Sequence, residues 1–321
     1  MIFFQIFILA AGFAFLVKGA DFFVDGASAI AKAFHIPSIV IGLTIVSFGT
    51  SLPELAVSVT SAIQGVEGIA IGNVVGSNIV NLMLVAGCAA AISPMEMGKS
   101  LMKKDFPFSI LITAALFLMF ADKFFDPDAA RNIISRADGI MLLLFFVIFM
   151  YSTVSYSLAN QTEETCQNPE EKKSPVAKSV LVTAAGLAGV IAGGQMVVKS
   201  ATYIAKAAGM SDTLIGLTVV AFGTSLPELV TSIIAAKKGE NDIAMGNVIG
   251  SNIFNILFIL GVSATIRPLA VDSACIFDTV ILIAFSALVW LMARPKYRLN
   301  RACGIAMILL YAAYDAFVFL R

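Results

Sequence analysis

The sequence predicts an all-α membrane protein of ten transmembrane helices, arranged as two inverted five-helix repeats with broken helices where polar residues cluster. Three observations carry that prediction: an apolar composition, a chain that repeats itself at a fixed offset, and prolines and acids placed inside apolar segments. Of 321 residues, 59% are apolar and 42 (21 basic plus 21 acidic, 13%) are charged, against about 45–50% and about 25% in a soluble domain. A spanning helix takes roughly 20 apolar residues, so ten of them use about 200 positions and leave only short connections.

Breaks at Pro, Gly and charge clusters place helices near 3–31, 37–63, 68–92, 105–121, 137–157, 178–206, 212–236, 242–266, 275–293 and 302–320. The chain opens directly into apolar sequence, without the basic region and small-residue cleavage site of a secretory signal, so the first segment reads as a span. The one clearly hydrophilic stretch, 160–175, is short and poor in aromatics and reads as a flexible loop. It divides the chain into a first repeat (1–157), a connecting cytoplasmic loop (158–177) and a second repeat (178–321). The formal net charge is zero, which argues against a nucleic-acid surface. Cys88, Cys166, Cys275 and Cys303 show no metal-binding spacing and read as packing or loop residues.

Sliding the chain by 174 positions aligns its halves without a gap. GLTIVSFGTSLPEL at 42–55 returns as GLTVVAFGTSLPEL at 216–229, matching at 12 of 14 positions, and IAIGNVVGSNIVN at 69–81 returns as IAMGNVIGSNIFN at 243–255. Five spans per half is an odd number, so the second half enters the membrane from the opposite side. The odd-numbered connections (1–2, 3–4, 5–6, 7–8, 9–10) carry thirteen Lys and Arg, and the other connections with the C-terminus carry six. Basic residues mark the cytoplasmic side, so both termini are expected outside the cytoplasm and the protein in the plasma membrane.

Glu54 and Glu228 are the anomalies. A mid-membrane carboxylate costs at least ~2.5 kcal/mol on insertion scales and reads by default as functional, and here two are related by the repeat. Residues three and four apart share a helix face, so Ser47, Thr50, Ser51, Glu54 and Ser58 form one polar stripe, repeated by Thr224, Ser225, Glu228 and Ser232. Pro53 and Pro227 lack a backbone donor and crowd the preceding turn, loosening carbonyls around Gly49, Thr50, Gly223 and Thr224. Asn73, Ser77 and Asn81, with Asn247, Ser251 and Asn255, form a partner stripe. Gly72 with Gly76, and Gly246 with Gly250, have the spacing that lets helices approach closely. Carboxylates, hydroxyls, amide oxygens and carbonyls are hard donors that suit Ca²⁺ or Na⁺, and an irregular cage favours Ca²⁺ over Mg²⁺. Competition of cations for one charged site gives exchange.

Other residues read blandly. Asn73, Asn78, Asn247 and Asn252 read individually as glue between helices, and His35, the Asn160-Gln161-Thr162 sequon, the Asp122, Asp126 and Asp128 loop, Lys18 and Lys199 receive no role.

GTSLPE at 49–54 and 223–228, with GNVVGSNIVN at 72–81 and GNVIGSNIFN at 246–255, resembles the paired alpha repeats of the Ca²⁺/cation antiporter superfamily, and within it the prokaryotic sodium/calcium exchanger branch. The resemblance implies that Glu54 and Glu228 ligate a central Ca²⁺ with backbone oxygens of Thr50 and Thr224. It implies that Ser51, Ser77, Ser225 and Ser251, with Ser47 and Ala221, line flanking Na⁺ sites, and that Asn81 and Asn255 sit at the centre. An acid at the position of Asn255 accompanies K⁺ dependence in relatives, so its absence argues against K⁺ coupling. The implied cycle is alternating access, with the helices near 3–31 and 178–206 sliding, three Na⁺ against one Ca²⁺, and no prosthetic group. Ca²⁺, Na⁺ and the bilayer are the expected partners, with no obligate protein partner. H⁺/Ca²⁺ exchange and a cation channel are the competing functions. An enzyme is disfavoured, because the only His is poorly placed and no Ser/Lys or Asp pair is evident.

Overall fold

The computed structural model describes residues 2–125, 131–160, 176–210 and 221–320. Helix α1 (Ile2–Phe34) is followed by α2 (Ser38–Ile41), a π-helical turn (Gly42–Val46), α3 (Ser47–Thr50) and α4 (Leu52–Gln64). Next come α5 (Glu67–Ile79), a π turn (Val80–Val85), α6 (Ala86–Ile92), a π turn (Leu101–Asp105), α7 (Phe106–Phe120), α8 (Asp122–Phe125) and α9 (Arg136–Asn160). The second half runs α10 (Val176–Ala207), α11 (Ala221–Thr224), α12 (Leu226–Lys237), α13 (Asn241–Phe254), a π turn (Asn255–Leu260), α14 (Gly261–Ile266), α15 (Ser273–Ala293) and α16 (Arg301–Leu320).

The protein is an all-helical, multi-pass membrane protein. Seven helices among the described residues are long and apolar enough to cross a bilayer, and the pair Ser38–Thr50 and Leu52–Gln64, bent by 51° at its break, makes an eighth if taken as one span. The segment expected at 212–236 is described only from 221, and most of the hydrophilic loop, with Cys166 and the end of the sequon, lies outside the described residues, as do Asp126 and Asp128. The outer surface is apolar, with Phe3 89%, Phe7 70% and Leu181 70% exposed. Hydroxyls, amides and three carboxyls, those of Glu54, Asp105 and Glu228, lie in the interior. This arrangement matches a hydrocarbon solvent, in which apolar side chains face outward at no cost and polar groups are satisfied internally.

Two short antiparallel pairings were not anticipated. Met95 and Glu96 (β1) pair with Leu299 and Arg298 (β4), and Ile133 and Ile134 (β2) pair with Ala270 and Leu269 (β3). Each joins two connections, clasping the loop after α6 to the one before α16, and the loop before α9 to the one before α15.

Helices α1 and α10, which correspond across the repeat, pack along each other's length. Glycines bring them together. A Cβ at Gly19 would meet Val190 N at 2.6 Å, a Cβ at Gly193 would meet Leu16 N at 2.5 Å, and Gly186 is backed directly onto Phe23. Leu16, Ala20, Val190, Val197 and Leu226 form an apolar cluster separate from the main core. The α1–α10 seam is thus packed in part apart from the main core, which Phe23, Val24, Ala27, Ile30 and Ala31 of α1 join.

Candidate functional site: paired carboxylates at the helix breaks

The first broken helix changes direction at Ser51, whose φ of −84° and ψ of 9° lie outside the helical region, and the second at Ser225 (−88°, 3°). The sequence placed the disturbance around Gly49 and Thr50 because of Pro53. In the structure the break lies at the serine, and each proline sits in the first turn of the helix that follows. There its missing N–H is one that the helix start leaves unpaired anyway, and its fixed φ helps the helix begin. Glu54 and Glu228 then fall in the first turns of α4 and α12, where the positive end of the helix dipole favours an anion.

Both carboxylates are 0% exposed. Each is approached by a hydroxyl of the other repeat: Ser51 Oγ donates to Glu228 Oε1 at 2.9 Å, and Ser225 Oγ lies 3.5 Å from Glu54 Oε1. Thr50 also interacts with Glu228, and Thr224 with Glu54, and the two carboxylates are within Coulombic reach of each other. Two acids far apart in sequence therefore share one interior.

Around them the repeat is carried by reciprocal hydrogen bonds. Asn73 Nδ2 donates to Ser58 Oγ at 2.9 Å and to the Glu54 carbonyl at 3.2 Å, while Asn247 Nδ2 donates to Ser232 Oγ at 2.9 Å and to the Glu228 carbonyl at 3.5 Å. Asn78 Nδ2 donates to the Asn252 carbonyl (3.1 Å) and Asn252 Nδ2 to the Asn78 carbonyl (3.2 Å), joining the halves. Sequence reasoning treated these four asparagines as glue. Two of them brace the backbone of the glutamates and two join the halves, and the signal that marks them is their recurrence 174 residues apart within the same motif.

Of the other expected site residues, Ser47, Ser77, Asn81, Ser251 and Asn255 are also buried. Ala221 opens α11, and its side chain lies outside the described residues. Asn81 and Asn255 each sit at a π turn, a widened helical turn that recurs at functional sites and that the apolar pattern did not reveal. Asn255 Nδ2 donates to Asn78 Oδ1 at 3.0 Å. Five buried acceptor oxygens, Glu54 Oε2, Glu228 Oε2, Asn81 Oδ1, Asn252 Oδ1 and Asn255 Oδ1, receive no donor from the protein. A buried polar atom left unpaired costs about 1–3 kcal/mol, so such a group is a strong attractor for cations. Among the described residues no cluster of three His, Cys, Asp or Glu could hold a metal.

The glycine pair of the second repeat is packed against the first broken helix. A Cβ at Gly250 would meet Leu43 Cα at 2.8 Å and Ser47 Oγ at 2.7 Å, one at Gly246 would meet Gly42 Cα at 2.9 Å, and Thr50 Oγ1 donates to Asn247 Oδ1 at 3.0 Å. The close approach expected at both glycine pairs is seen at this one. Among the described residues a Cβ at Gly72 or Gly76 would meet nothing within 4 Å. The chain equivalent to Gly42–Val46 on that flank, 216–220, lies outside the described residues.

Comparison with known proteins agrees with this architecture. The sequence pattern of the family described as sodium/calcium exchanger protein matches residues 4–154 and 178–320. The chain is 38% identical to the putative antiporter CaxA of Alkalimonas amylolytica, covering 98% of both chains, and 35% identical to the sodium/calcium exchanger MaX1 of Methanosarcina acetivorans, covering 97% of both. Its fold superposes on the solved structure of the sodium-calcium exchanger NCX_Mj with a TM-score of 0.85 at 34% identity, covering 98% of this chain and 99% of that one. A family of transporters, not of enzymes, accounts for both the motifs and the fold, and the chain belongs to the sodium/calcium exchanger family of membrane antiporters.

Proposed function

We propose that this antiporter exchanges Na⁺ for Ca²⁺ by alternating access at a mid-membrane site built around Glu54 and Glu228. The observation that carries the reading is the pair of fully buried carboxylates, each met by the opposite repeat's serine and each keeping one oxygen without a protein donor. Oxygen donors in an irregular arrangement suit Ca²⁺, which takes six to eight oxygens, and no thiolate or imidazole competes. Two ionised glutamates supply a charge of −2, which one Ca²⁺ or two to three Na⁺ offset. In this reading the Thr50 and Thr224 carbonyls complete the Ca²⁺ site, Asn81 and Asn255 lie at its centre, and Ser47, Ser51, Ser77, Ala221, Ser225 and Ser251 line flanking Na⁺ positions. Emptying the site leaves two buried like charges that oppose dehydration, so the switch proceeds most easily when cations occupy it.

The ten-span inverted topology belongs to the same proposal, with repeats at 1–157 and 178–321 and both termini outside the cytoplasm. It is supported by how the connections pair. Loops 3–4 and 9–10 meet in β1–β4, loops 4–5 and 8–9 in β2–β3, and Glu67 of loop 2–3 faces Arg267 of loop 8–9 at 3.4 Å. Odd connections meet odd and even meet even, as an up-and-down passage of ten spans requires. The α1–α10 pair, glycine-lined and with its own apolar cluster, is the moving element.

The deciding experiment is uptake of radiolabelled calcium into proteoliposomes with Na⁺, K⁺ and H⁺ gradients imposed separately. Uptake is expected to follow the Na⁺ gradient and, for three Na⁺ against one Ca²⁺, the membrane potential. Uptake driven by H⁺ alone, or channel currents without countertransport, would overturn the assignment.

A further inference from the structure

Helix α1 has 33 residues, a length of about 50 Å, and so outreaches a hydrocarbon layer of about 30 Å. Its C-terminal half lines a cavity of about 590 Å³ together with the turn between α12 and α13. Within it Lys238 Nζ lies 2.7 Å from Asp21 Oδ1 and 2.6 Å from Asp25 Oδ1, and donates to the Asp21 carbonyl at 2.9 Å. One turn further along, Ser28 Oγ donates to Glu240 Oε1 at 2.5 Å. Lys238 directly follows α12, the helix that carries Glu228, so these contacts tie the sliding helix to a helix of the site. Burial opposes the lysine's charge, but its hydrogen bonds and ion pairs with Asp21 and Asp25 outweigh that and hold the ammonium above its usual pKa.

The charges on α1 define a register. Lys18, Asp21, Asp25, Ser28 and Lys32 are spaced by three or four residues and share a face, giving the order plus, minus, minus, neutral, plus. Lys238 faces the two acids. A slide of one helical turn, about 5.4 Å, brings it toward Lys18 in one direction and toward Ser28 and Lys32 in the other, so attraction holds in a single register. The repeat-related positions hold no such set of charges. The positions 174 residues away are Gln195 and Lys199 on α10, with Gln64 and Val66 in the turn after α4. The latch therefore acts on one membrane face, the same face on which Gly246 and Gly250 are packed against 42–47.

We propose that Lys238, Asp21 and Asp25 form a register latch that holds α1 on the core while the face bearing the α12–α13 turn is closed, biasing the carrier toward opening on the other face. The proposal rests on the reading that α1 and α10 slide during exchange.

The test measures apparent Ca²⁺ affinity from each face of sealed proteoliposomes. Lys238→Gln, and Asp21→Asn combined with Asp25→Asn, are expected to strengthen affinity from the latched face about threefold, the scale of one partly exposed ion pair, without strengthening it from the other face. This follows because apparent affinity scales with the population open to that face. Lys238→Arg keeps the charge and should keep wild-type values, and comparing faces within one preparation cancels any loss of folded protein. A Ser28→Cys, Glu240→Cys double variant tests the sliding separately: oxidation should stop exchange and reduction restore it. If that cross-link arrests exchange while the neutral variants change neither affinity, the latch is refuted and sliding stands. If exchange continues through the cross-link, sliding fails and the latch with it.

Discussion

Replacing Glu54 by Gln keeps the side-chain shape and removes one of the two interior charges. Glu54 is 0% exposed, Ser225 Oγ lies 3.5 Å from its Oε1, Thr224 also reaches the carboxylate, and its Oε2 has no protein donor. Two hydroxyls and a helix start repay only part of the burial of that charge, so in the proposed reading the bound cation is its main stabilising partner. Breaking a buried charge pair by deleting one member costs about 3–5 kcal/mol, and each ~1.4 kcal/mol is tenfold in affinity, so Ca²⁺ binding should weaken by about 100- to 4,000-fold. The empty protein should by contrast be no less stable, because the mutation relieves like-charge repulsion with Glu228. Titration calorimetry with Ca²⁺ and a thermal melt in Ca²⁺-free buffer measure both halves, and Glu228→Gln should behave alike. Binding within threefold of wild type, or a melting temperature that falls in step with affinity, would refute the reasoning, the second because it would mark the glutamate as a structural pillar.

Asn247→Ala removes donors to Ser232 and the Glu228 carbonyl and the acceptor for Thr50. At about 1–3 kcal/mol for stranding buried partners, it should weaken Ca²⁺ binding about 5- to 150-fold; a binding titration unchanged from wild type would show that this network does not support the site. Gly19→Ala sets a Cβ 2.6–2.9 Å from backbone atoms of α10, where no side chain can yield. Overpacking of this kind costs about 1–3 kcal/mol, so the melting temperature should drop, and an unchanged melt would show that α1 and α10 are not held in this contact.

The helices were legible because in lipid the period of the pattern matters less than its length, and 20-residue apolar runs between Pro, Gly and charges announce themselves. The pairing of Glu54 with Glu228 was legible for a different reason: two acids inside apolar segments at identical places in a repeat have few structural excuses. Less visible was the position of each break. Pro53 drew the reading to the carbonyls before it, yet a proline early in a helix is at ease, and the change of direction fell on Ser51. The π turns at Asn81 and Asn255 were hidden, since an extra residue in a helical turn leaves no mark on an all-apolar pattern. The contacts of Lys238 with Asp21 and Asp25 lie more than 200 positions apart with no repeat to advertise them.

The sequence by itself determined the solvent, the duplication and the chemical character of the interior, because each of these is a property of which residue types stand where along one chain: apolar length, a 174-residue offset, and carboxylates where lipid would not tolerate them. Only the tertiary structure decided which serine faces which glutamate, which glycines let α1 and α10 touch, and where the charged turn after α12 meets α1. Those depend on distances between segments remote in sequence, and a near-perfect repeat cannot foretell where its two copies depart from symmetry.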